Sequence, residues 1–171
     1  MLLFGSLLFT ACDKDDDHDH LDQELITTVV MTFTETGGGS STFKVVDLDG
    51  DGGNPPVVEE IKLKANTEYT VSVKFLDESN PADVEDITKE VLEEADEHLV
   101  CFTATGAMIA PTITDADEDG KPLGLQSTLT TGDAGTGSLR VVLKHEPNKS
   151  ASNPCATGET DVDVTFPVKI E

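Results

Sequence analysis

The chain has 171 residues, with 11 Lys plus Arg against 34 Asp plus Glu and a formal net charge of -23. That length suits one domain with its own core. The charge excludes nucleic acid and anionic lipid headgroups as partners, because repulsion opposes every approach to a phosphate. With no Trp and a single Tyr, Tyr69, the chain also lacks the aromatic platforms on which bases stack.

Residues 1–11, MLLFGSLLFTA, form an apolar run of the length of a signal-peptide h-region, ending in small residues before Cys12. The run is shorter than the roughly 20 apolar residues that span a bilayer. Phe9-Thr10-Ala11-Cys12 resembles a permissive bacterial lipobox, in which cleavage precedes Cys12 and its thiol receives a fatty-acylated glycerol. No basic n-region precedes the run, which points to a start upstream of Met1. A buried N-terminal strand is the competing reading, disfavoured because the charges that follow could not be buried beside it. Those charges, Asp13-Lys14-Asp15-Asp16-Asp17, resemble the Lys/Asp-rich export signal that sends Bacteroidota lipoproteins to the outer face of the outer membrane. Residues 12–24 hold seven acids and one base, so they are expected to be a self-repelling, disordered tether.

Residues 25–171 read as one β-domain. Strands are expected over residues 25–35, 42–48, 57–63, 68–76, 99–105, 108–114, 123–130, 137–145 and 160–170, where Val, Ile, Thr and Phe recur between Gly, Pro and Asn turn signals. Period-2 alternation is clearest at Tyr69, Val71, Val73 and Phe75, and again at Val162, Val164, Phe166, Val168 and Ile170. Pro167 has no N–H for a ladder, so its strand should lie at an edge or carry a bulge. Asn80-Pro81-Ala82-Asp83 has N-cap chemistry. Val84, Ile87, Val91, Leu92 and Ala95 follow at helical spacing, predicting a short acidic helix near residues 81–97. From Asp77 to His98 there are ten acids and one base, so this segment and the tether carry 15 of the 23 net negative charges. The expected fold is an immunoglobulin-like antiparallel β-sandwich with this one helix.

Two stretches have calcium spacing. Asp47, Asp49 and Asp51, and likewise Asp115, Asp117 and Asp119, fit Asp-x-Asp-x-Asp-Gly. Neither is an EF-hand, since Val58 and Gln126 stand at the twelfth position. The same residues read as Asp-Gly turns, the reading that common turn chemistry favours, with a weak calcium site as the alternative. His98 and His145, with Glu94, Asp96 or Glu97, are candidates for a mixed nitrogen and oxygen site for zinc, against a reading as ordinary strand-end histidines. Calcium or zinc is therefore the cofactor expectation. Cys101 and Cys155 form an even pair in an oxidising compartment once Cys12 is lipidated, so a bridge stands against two free thiols. No nucleophile–base pair, phosphate loop or dinucleotide fingerprint occurs, and no enzyme is expected.

Leu25–Val29, Asp47–Asn54 (DLDGDGGN), Leu63–Phe75 (LKANTEYTVSVKF), Asp86–His98 (DITKEVLEEADEH), Leu129–Pro147 and Gly158–Phe166 resemble a family of small, uncharacterised Bacteroidota outer-membrane lipoproteins. Members sometimes carry a "type 1 periplasmic binding fold" label, whose two-lobed α/β architecture conflicts with so short and strand-rich a chain. No catalytic or binding residues come with the resemblance, and Cys101 and Cys155 depart from its pattern. The expectation is a lipid-anchored outer-membrane protein, surface-exposed or alternatively periplasm-facing, that captures a metal ion or nutrient beside an outer-membrane transporter. The competing class is a structural or adhesion module of the envelope.

Overall fold

The computed structural model describes residues 25–50 and 53–171. The apolar leader, Cys12, Lys14, Asp15, Asp16, Asp17 and Asp51 lie outside them. Among the described residues ten strands form two sheets. They are β1 (Thr28–Glu35), β2 (Ser40–Val46), β3 (Val57–Val58), β4 (Ile61–Leu63), β5 (Glu68–Leu76), β6 (His98–Gly106), β7 (Thr112–Ile113), β8 (Gln126–Thr130), β9 (Gly135–His145) and β10 (Glu159–Ile170). One sheet runs β3-β2-β1-β5-β8-β7 and the other β4-β10-β9-β6. All pairs are antiparallel except β4 with β10, which is parallel.

The alternating strands supply the core. Tyr69, Val71, Val73 and Phe75 of β5 are buried against Val100 of β6, Leu139, Val141 and Leu143 of β9, and Phe166, Val168 and Ile170 of β10. Phe33 on β1 meets the Tyr69 ring edge-on at 6.2 Å, the geometry aromatic quadrupoles prefer. The chain is a mostly-β sandwich, as the period-2 pattern implies. Among the described residues no helix is long and apolar enough to cross a membrane.

Several boundaries move. Residues 57–63, expected as one strand, divide at Glu59 and Glu60, so that β3 joins one sheet and β4 the other. The expected helix over 81–97 shrinks to α1, Thr88–Glu93. The reason is local competition: Asn80 closes a turn by accepting from the Ala82 N–H at 3.2 Å and the Asp83 N–H at 2.9 Å, and Asp77 bridges Glu85 as a β-pair. The predicted apolar stripe is therefore incomplete, with Ile87 and Val91 buried but Val84 49% and Leu92 61% exposed. Pro167 falls just before β4 begins pairing at Val168, so only β9 flanks β10 there. The bulge in β10 lies nearer its start, between Thr160 and Val162.

Outside the four-stranded sheet, Leu99, Cys101 and Val142 form a second apolar cluster with Ile113. Cys101 is bonded to Cys155, with a Cα–Cα separation of 5.9 Å, which ties the 148–158 loop to β6. The same loop is held by a buried ion pair: Lys149 Nζ donates to Asp117 Oδ2 at 3.0 Å and to the Ala95 carbonyl at 2.5 Å. Burial opposes the Asp117 charge, but Lys149 and the N–H groups of Lys121 and Asp119 outweigh it and hold its pKa below the ordinary value. A carboxyl depressed in the folded state contributes stability above its unfolded pKa, near 3.8, and loses it as pH falls through the folded value. Lys149→Met should therefore flatten the acid limb of stability against pH in that window, read by urea unfolding from pH 5 downward. An unchanged limb would remove the pair from the account.

Candidate metal centre

The register of the four-stranded sheet sets His98, His145 and Glu159 side by side, because His145 pairs with His98 of β6 and with Glu159 of β10. His98 and His145 share the inward face with Val100 and Leu143, so the two imidazoles cap that end of the core. Their rings stack with centroids 4.9 Å apart and planes 9° from parallel. His98 is 0% exposed. Its Nδ1 lies 3.0 Å from the Glu94 carbonyl; a carbonyl only accepts, so Nδ1 carries the hydrogen of the neutral ring and Nε2 is its lone-pair nitrogen. Metal-ligating histidines are commonly oriented in this way.

Asp161 completes the group. In an unbroken ladder it would take its own partner on β9, but Thr160 opposes Lys144 and Val162 opposes Leu143, leaving Asp161 as the extra residue of the bulge. Bulges re-aim side chains next to functional sites. Here the Asp161 side chain is 2% exposed, with Oδ1 3.9 Å from His145 Nδ1. No described residue gives Oδ2 a hydrogen bond. Burial pushes the Asp161 pKa above its ordinary value despite the opposing pull of His145 and His98. On the other side of the ring, Glu97 Oε2 lies 3.7 Å from His145 Nε2. Gly158 allows the approach: its φ is 71°, and a Cβ there would sit 2.3 Å from the His145 carbonyl oxygen.

One ligand atom each from His98, His145 and Asp161 fall within 4.8 Å of one another, as do atoms of Glu97, His145 and Glu146. Ligands around a tetrahedral zinc stand about 3.4 Å apart for bonds of about 2.1 Å, so closing the first group on an ion requires the ligand atoms to draw together and the stacked rings to tilt out of parallel. Two imidazoles and a carboxylate suit zinc and its neighbours, whereas calcium takes six to eight oxygens.

No family model, curated protein or solved structure matches the chain. The site therefore rests on its own geometry.

That geometry revises the expected ligand sets. His98 and His145 come together with Glu97 nearby, but the Glu94 and Asp96 side chains are exposed and belong to neither group. Glu94 serves through its backbone carbonyl. Asp115, Asp117 and Asp119 do not converge on a cation position, because each of the first two is spent within the loop. Asp115 accepts from the N–H of Gly124 and Gln126 at 2.8 and 2.9 Å. Asp117 takes the N–H groups of Lys121 and Asp119 as well as Lys149. This is turn chemistry. Asp49 likewise takes the backbone and side chain of Asn54 at 3.0 and 2.7 Å, which lowers its pKa. Asp47 keeps an Oδ1 that is buried without a hydrogen bond from any described residue. The ligand missed from sequence is Asp161, which alternation assigns to the outward face of β10. Only Gly158, three residues before it, hints at an irregular entry.

Proposed function

We propose that this chain is a non-enzymatic, lipid-anchored protein of the bacterial outer surface that captures a zinc-class divalent ion at His98, His145 and Asp161, beside an outer-membrane transporter. The observation that carries the reading is Asp161, bulged and with a buried side chain, beside the stacked His98 and His145 rings. An uncompensated buried carboxylate costs stability unless something positive meets it, and a cation bound there would recover that cost. The surface field of the acidic segment 77–98 would raise the local cation concentration. The anchor reading rests on Cys12 between the apolar run and the acidic tract. The proximity of a transporter follows from that location alone.

Two tests separate location from binding. Incorporation of a clickable fatty acid is expected in the wild type and absent in Cys12→Ala, and neutralising Asp15, Asp16 and Asp17 should turn a protease-accessible protein into a protected one on intact cells. Acylation of the alanine variant would contradict the anchor. For binding, cells grown under zinc limitation should accumulate the ion faster with wild-type protein than with His145→Ala at equal abundance; equal rates would contradict capture.

A further inference from the structure

A cleft of about 710 Å³ opens between the β2–β3 edge of one sheet and residues 160–165 of β10. It exists because β4 pairs only with Val168–Ile170, leaving the first half of β10 without a neighbour on that side among the described strands. Its size lies in the range of small-molecule sites. Leu25, Val45, Val58 and Val164 contribute apolar wall, and among the described residues no Lys, Arg or His lines it. Its polar side chains are unevenly satisfied. Asp163 is neutralised by Arg140, whose Nε donates to it at 2.8 Å. Asp47 and Asp161 also line the cleft, and each keeps a buried carboxylate oxygen that no described residue bonds.

We propose that this cleft binds an organic cation, an ammonium or guanidinium group on an apolar body, with Asp47 and Asp161 as its counter-ions. Each part of that ligand answers an observation: the charge meets two carboxylates that each keep one buried oxygen with unmet hydrogen-bonding capacity, and the body meets the apolar wall. A carboxylate buried in an apolar wall rejects a neutral isostere more strongly than it rewards extra surface. Asp161 is shared with the metal centre, so zinc and the amine would compete for it, whereas Asp47 stands outside that centre and tests the cleft separately from metal capture.

The test titrates the full-length chain with 2-phenylethylammonium and with neutral 2-phenylethanol, following backbone amide shifts. Saturable shifts are expected for the amine at the end of β2, at β3 and at the start of β10. The alcohol should bind about tenfold more weakly or worse, and Asp47→Asn should weaken the amine about tenfold while sparing the alcohol. Asp161→Asn should reproduce that loss when the titration is run without divalent metal. The proposal is overturned if amine and alcohol bind alike or if Asp47→Asn changes nothing. It is equally overturned if the amine shifts fall on the acidic segment 83–94 and vanish with salt, which is diffuse attraction.

Discussion

Removing the Cys101–Cys155 bridge, as the double alanine variant, should lower the unfolding free energy by about 4 kcal/mol, the chain-entropy value for closing a loop of this length. The two cysteines are 54 residues apart, and the closed loop includes β7, β8 and β9, so an unfolded chain without the bridge regains a large conformational space. The bridge also pins the loop that delivers Gly158 to the His145 carbonyl, so the centre loses part of its support. Guanidinium unfolding with and without reductant measures this. A midpoint indifferent to reductant would contradict the bridge's role.

Phe166→Ala should cost about 3–5 kcal/mol, the range for deleting a buried aromatic whose site cannot collapse. Phe166 is fully buried on β10 and belongs to the cluster that joins both sheets. Val57→Ala, at an exposed position of the short β3, should stay within about 0.5 kcal/mol. Similar losses for the two would mean that the sheets do not share the core described.

How far the fold was legible in the sequence depended on whether a residue's role was local. Alternation in β5 and β10 named Tyr69, Val71, Val73, Phe75, Phe166, Val168 and Ile170 as one inward set because side-chain direction follows a period of two. The helix near Asn80 was overdrawn because cap chemistry and turn chemistry use the same residues, and only the pairing of Asp77 with Glu85 decides between them. His98 and His145 were visible as candidates, but their contact comes from strand register, which 46 intervening positions conceal. Asp161 was hidden more completely, since a one-residue bulge reverses the face that alternation assigns. In the Asp-x-Asp-x-Asp-Gly runs the turn reading was legible because it is local: Asp49, Asp115 and Asp117 accept from nearby backbone N–H groups.

The most direct measurement is calorimetric titration of the metal-free full-length chain with zinc at about 0.15 M salt and excess calcium. The account predicts one saturable ion per chain and, at a hundredfold excess over Kd, stabilisation of about 2.7 kcal/mol. His145→Ala and Asp161→Asn should each weaken binding beyond the roughly 10–100-fold cost of disturbing a supporting residue, while Glu94→Ala with Asp96→Ala leaves it intact. Heat that calcium abolishes, or affinity that survives both ligand variants and falls with the Glu94 and Asp96 pair, would contradict it.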